Sequence, residues 1–114
     1  MTVTIYHNPR CSKSRQTLAL LEERGVNPDV ALYLDNPPSK AALKSLIKKL
    51  GISSARDMMR TKETPYKELS LKDAAEAALI DAMAEHPILI ERPIVVNGDR
   101  AAIGRPPERV LEVL

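Results

Sequence analysis

Three features of the sequence predict an α/β fold with a mixed sheet, in the order β-α-β, helical insertion, β-β-α. The β-rich run "TVTIYH" precedes a helix-compatible stretch from Ser12 and a second β-rich run, "DVALYL". Residues 39 to 86 then read as mainly helical. The last third returns to β character, with "PILIERPIVV" and "RAAIG" flanking Asn97-Gly98, a dipeptide favoured in two-residue hairpin turns. A βαβ opening implies parallel pairing and a hairpin implies antiparallel pairing, so the sheet is expected to be mixed.

Each element has a local cause. Val3 and Ile5 alternate with Thr4 and Tyr6 in a short strand that ends at Asn8-Pro9, a turn signal. The first helix is expected from Ser12 through Leu18 and Leu21 to Arg24, with Gly25 to stop it. "DVALYL", residues 29 to 34, reads as the second strand, closed by "DNPP". Ser39 is a good N-cap for a helix with Leu43, Leu46, Ile47 and Leu50 at i, i+3, i+4 and i+7, and Gly51 follows as its C-cap. "SARDMMR" predicts a short helix ending near Arg60. "SLKDAAEAALIDAMAEHP" predicts one Ala-rich helix, with Ser70 and Asp73 at capping-box spacing and Pro87 as its stop. Pro106 and Pro107 suit the first turn of a final helix carrying Val110, Leu111 and Leu114. No Gly/Ser linker separates the insertion at about 39–86, so residues 1–114 are expected to form one domain.

Composition narrows the function. The chain has 114 residues, 44% hydrophobic and 28% charged, an ordinary globular balance rather than a disordered one. Its formal charge is only +2, without the basic excess expected of a nucleic-acid or membrane binder. With no Phe or Trp, it offers little platform for stacking bases. No apolar run approaches ~20 residues, and "MTVTIYHNPR" lacks the features of a secretory signal. The single cysteine cannot form an internal disulfide, so a cytoplasmic location is expected. One cysteine with His7 and His86 is too few soft ligands for a structural zinc site.

That cysteine lies in "HNPRCSKSR", where the first strand hands over to the first helix. Backbone N–H groups at a helix N-terminus stabilise a thiolate, and Arg10, Lys13 and Arg15 are close in sequence. A thiol of pKa ~8.5 is only ~3% ionised at pH 7, whereas one lowered to ~6.5 is about three-quarters ionised. A buried, inert cysteine would have apolar neighbours instead. Ser14 stands where a C-x-x-C redox motif carries its resolving cysteine, so a Cys11 adduct needs a thiol from outside. The C-x5-R phosphatase loop is excluded, because Thr17 stands where that loop needs its arginine. His7 is either an orienting or charge-tuning partner of Cys11 or an ordinary hydrogen-bonded loop histidine.

The loop "HNPRCSKSR", together with "RTKETPYKEL", "ERPIVV" and "IGRPPERV" in that order, closely resembles the glutaredoxin-dependent arsenate reductase family. The resemblance covers nearly the whole chain. It implies a thioredoxin-like core with a helical insertion and a single catalytic cysteine. Cys11 would attack arsenate to give a thiolate–arsenate ester, and Arg60, Arg92 and Arg105 would bind the anion. Pro93 would be the cis-proline opposite the thiol loop, and His7, Ser14 and Arg15 would help set the reactivity of the cysteine. No tightly bound cofactor or metal is implied. Glutathione would be the co-substrate, and glutaredoxin would be the partner that clears the mixed disulfide.

Physical chemistry makes this assignment sensible. Arsenate is a dianion that repels a thiolate unless cations gather both, and planar guanidinium forks suit a tetrahedral oxyanion. Two other readings stay open on sequence alone: a monothiol oxidoreductase acting on glutathione-mixed disulfides, and a non-catalytic, partner-binding member of the same fold. The arginine trio weighs against the first, because a disulfide substrate does not need three positive forks. Retention of Cys11 weighs against the second.

Overall fold

A computed structural model of the chain describes residues 2–114. They fall into two compact units, one running up to Asn36 and resuming over Arg92–Leu114, the other Pro37–Glu91. The first unit holds a four-stranded mixed sheet in the order β2-β1-β3-β4, formed by β1 (Val3–Tyr6), β2 (Asp29–Ala31), β3 (Ile94–Asn97) and β4 (Arg100–Ile103). Strand β1 pairs parallel with β2 and antiparallel with β3, and β3 pairs antiparallel with β4. The mixed sheet is the one expected from the sequence, and the fold is thioredoxin-like.

Helix α1 (Ser12–Glu23) buries Ser14, Thr17 and Leu21, which recur at the spacing of one helix face. Leu21 joins Ile5, Val95, Val110 and Val113 in the core of this unit. Each large aliphatic side chain removed from water there contributes about 1.5–3 kcal/mol.

Two boundaries and one helix type differ from expectation. Strand β2 ends at Ala31 rather than residue 34, because the Asp35 and Asn36 N–H groups both bond back to Leu32 O in a turn. In the hairpin, Asn97 pairs with Arg100, so the two-residue loop is Gly98-Asp99 and not Asn97-Gly98. Gly98 alone takes a positive φ, of 63°, as a type II′ turn requires at its first central position. The final helix, Pro107–Val113, is of the 3-10 type.

The second unit is helical, as expected. In α2 (Lys40–Leu50), Ser39 Oγ accepts from the Ala42 N–H and Gly51 ends the helix in the left-handed region. A 3-10 turn covers Ala55–Met58, after which Met59 bridges Ile90 and the Arg60 N–H donates to Leu89 O. Arg60 therefore follows the turn in an extended pairing rather than closing a helix. A short α3 (Thr64–Glu68), which the sequence reading does not anticipate, comes next.

The single helix expected from Ser70 to His86 is broken. It consists of a 3-10 turn over Leu71–Asp73, extended residues at Ala74 and Ala75, and α4 (Glu76–Glu85). Ser70 is left-handed and forms no cap. The cause is Arg56, whose Nη2 donates to the carbonyls of Leu71 and Ala74 while its Nε donates to Tyr66 Oη. The Leu71 carbonyl also accepts from the Ala74 N–H, which closes the 3-10 turn, and Arg56 fixes the backbone where the turn gives way to extended residues. Glu76, at the start of α4, accepts from the Ser54 hydroxyl and the Ala55 N–H. Among the described residues, no helix is long and apolar enough to cross a membrane.

One glycine in the first unit sets how closely the segment after β4 approaches the start of β3. A Cβ at Gly104 would lie 2.7 Å from Thr17 Oγ1 and 2.8 Å from Pro93 Cγ. Thr17 is fully buried on α1, with its hydroxyl donating to Lys13 O, and neither it nor the Pro93 ring has a flexible end that can swing away. Gly104→Ala is therefore expected to lower stability by about 1–3 kcal/mol in urea denaturation. A wild-type midpoint would show that these neighbours give way without cost.

Candidate active site

Cys11 is the N-cap residue of α1, with extended backbone angles. Asn8 builds the turn that leads to it: its Oδ1 accepts from the Arg10 N–H, and its carbonyl accepts from the Cys11 N–H at 3.0 Å. Arg15 Nη1 donates to Pro9 O at 2.8 Å, so the third cation of the loop motif pins the loop backbone.

His7 and Ser14 form a buried pair beneath this loop. His7 Nδ1 and Ser14 Oγ share a 2.6 Å hydrogen bond, and Ser14 Oγ also accepts from the Asn8 N–H at 3.0 Å. Ser14 is fully buried. The residue at the resolving position of a C-x-x-C motif is thus a link between the end of β1 and the first turn of α1. Burial first, and then the charge of Arg15, hold His7 below its usual pKa, which keeps the imidazole neutral at pH 7. His7 reaches the thiol through Ser14, whose backbone N–H faces Cys11.

The electrostatics of Cys11 combine opposing effects. Burial pushes its pKa up, but this is outweighed by the Ser14 N–H, by the Arg92 guanidinium through a hydrogen bond and its charge, and by the Lys13 N–H. The net result is a thiol held below its ordinary value. Arg105 adds a second guanidinium, with Nη2 3.8 Å from Sγ and Nε donating to Arg92 O at 2.8 Å. Among the described residues, Arg92 Nε is buried without a hydrogen-bond acceptor. The Arg92–Pro93 and Arg105–Pro106 peptides are both cis, and Gly104 N donates to Pro93 O at 2.9 Å.

The structure thus brings together Cys11, Arg92 and Arg105, with His7, Ser14, Arg15 and Pro93 around them. Arg60 lies in the second unit, half-buried, with Nε 3.2 Å from Glu63 Oε2 and Nη1 3.7 Å from Glu91 Oε1. Neither carboxylate is singled out by the sequence reading. The i,i+3 spacing of Glu63 from Arg60 was an available signal, whereas nothing local pairs residue 91 with residue 60. Gly104 was also missed, since its role depends on two side chains distant in sequence. Among the described residues, no cluster of three or more His, Cys, Asp or Glu could hold a metal.

A thiolate flanked by guanidinium groups can attack an electrophile that carries negative charge, and known proteins are similar to this chain over its whole length. The chain is 59% identical to the arsenate reductase of Haemophilus influenzae over the full length of both. It is 60% identical to the uncharacterized protein YfgD of Escherichia coli K12, over 98% of this chain and 96% of that one. The solved structure of arsenate reductase from Vibrio cholerae superposes with a TM-score of 0.97 at 58% identity, covering 100% of this chain and 98% of that one. The ArsC family profile matches residues 6–113, and with identities of this size the chain belongs to the ArsC family.

Proposed function

We propose that this protein is an arsenate reductase in which the Cys11 thiolate attacks arsenate, and glutathione and glutaredoxin complete the reduction to arsenite. The observation that carries this reading is the arrangement at Sγ: N–H groups of Lys13 and Ser14, the Arg92 guanidinium, and Arg105 Nη2 at 3.8 Å. Relatives that bear the name arsenate reductase, and match this chain from end to end, support the choice of substrate.

The steps balance as follows. Cys11 sulfur forms a bond to arsenic, and one arsenate oxygen leaves as water after protonation. Arg92 and Arg105 would offset the charge of the anion as the arsenic–oxygen bond lengthens. A glutathione thiol then engages the adduct. Arsenic gains two electrons and leaves as arsenite, while the two sulfurs lose one electron each and join as a Cys11–glutathione disulfide. Glutaredoxin attacks that disulfide at the glutathione sulfur and frees the Cys11 thiolate. Ser14 cannot perform this last step, because its hydroxyl is not a redox group. The reducing cytosol, which keeps glutathione as the thiol, is the setting such a cycle requires. His7, Ser14, Arg15 and Pro93 hold the loop and the arginine segment in place.

In an assay that couples arsenate to NADPH oxidation through glutathione, glutathione reductase and glutaredoxin, the wild-type protein is expected to turn over. Cys11→Ser is expected to reduce the rate to background, and substantial activity in that variant would refute the nucleophile. Arg105→Lys is expected to lower kcat/KM for arsenate about tenfold or more, because one ammonium cannot both touch Sγ and hold Arg92 O. Wild-type kinetics in that variant would remove Arg105 from the site.

A further inference from the structure

A cycle that ends in a Cys11–glutathione disulfide needs somewhere for the peptide body of glutathione to rest, and the first unit has a cleft beside the thiol loop. The cleft measures about 380 Å3 and is lined by residues 7–10 together with Leu32, Leu34 and Asp35. A volume of this size lies within the range of small-ligand sites. Leu32 and Leu34 are 39% and 40% exposed, large aliphatic side chains presented to solvent. Arg10 and Asp35 are exposed as well, and no ion pair engages either among the described residues. The cleft therefore combines an apolar wall with one unpaired cation and one unpaired anion.

These features complement glutathione, a flexible tripeptide with two carboxylates and one ammonium group. Arg10 suits a carboxylate, Asp35 suits the ammonium, and the two leucines suit the methylene stem between them. Reach also fits. Extended peptide spans ~3.3–3.6 Å per residue, so a tripeptide extends about 10 Å. Asn8, Pro9 and Arg10 immediately precede Cys11, and the Cys11 N–H bonds Asn8 O at 3.0 Å. We propose that this cleft receives the peptide body of glutathione when the glutathione sulfur engages Cys11, an inference that rests on the glutathione-linked cycle above. The cleft, rather than the arginines that face the oxyanion, then selects glutathione over simpler thiols.

The test uses disulfide exchange, which needs neither arsenate nor glutaredoxin. Cys11 thiolate attacks oxidised glutathione, breaking its S–S bond, forming Cys11–S–S–glutathione and releasing one glutathione thiolate. The rate is read by intact mass, beside the same reaction with hydroxyethyl disulfide, which has no charges or peptide groups. Leu34→Trp fills the cleft without changing charge, and Asp35→Asn removes its anion. Both variants are expected to slow exchange with oxidised glutathione about fivefold or more, while hydroxyethyl disulfide reacts within twofold of wild type. Equal slowing with both disulfides, or none with either, would overturn the proposal. An absence of arsenate turnover in the wild type, with the selective slowing intact, would reject the reductase reading and leave the cleft assigned. Normal arsenate turnover without selective slowing would reject the cleft alone.

Discussion

The charge on the Cys11 sulfur is the constraint around which the first unit is arranged. Burial alone would favour the neutral thiol, so groups that prefer the thiolate must be supplied locally and held there. Two are backbone N–H groups of Lys13 and Ser14, left free to meet the sulfur because α1 begins at residue 12. The others are the guanidinium groups of Arg92 and Arg105, distant in sequence and delivered by strand pairing. Neither source depends on a second sulfur.

The topology explains how this is done with so few residues. Strand β1 ends at Tyr6, leaving residues 7–11 as the connection into α1, and β3 pairs antiparallel beside it. Tyr6 therefore faces Ile94 across the sheet, and Arg92 and Pro93, just before β3, arrive near the loop. The hairpin then returns β4 so that Ile103 pairs with Ile94, which carries Gly104 and Arg105 back toward the same end. Arg105 is fixed there by its bond to Arg92 O. Gly104 permits the approach because it has no Cβ to meet Thr17 and Pro93. Below the loop, the His7–Ser14 hydrogen bond ties β1 to α1 and keeps the helix N-terminus aimed at the sulfur.

Much of this was legible in the sequence wherever a local rule applied. The helix caps at Ser39 and Gly51, the βαβ order and the hairpin all follow from patterns within a few residues of one another. The thiol loop could be read for the same reason, since the cysteine, its cations and its helix start are contiguous. What could not be read depends on partners far along the chain. Arg56 fixes the break in the expected 70–86 helix through the Leu71 and Ala74 carbonyls, and no window over residues 70–86 contains Arg56. The hairpin register shifted by one residue because Asn97 keeps its place in the ladder, with Nδ2 donating to Val113 O. The carboxylates beside Arg60 belong to the same class. Glu91 meets it only through the pairing of residues 58–60 with 89–91.

The pH dependence of Cys11 alkylation tests the central claim most directly, and the single cysteine makes the readout free of background. Only the thiolate reacts, so the rate with iodoacetamide rises with pH through the thiol pKa. The midpoint is expected below that of an unperturbed cysteine, ~8.5, and Arg92→Gln is expected to move it upward by removing both a hydrogen bond and a charge. A wild-type midpoint at or above the unperturbed value, unmoved by that substitution, would contradict a thiolate held by the helix N-terminus and the arginine segment.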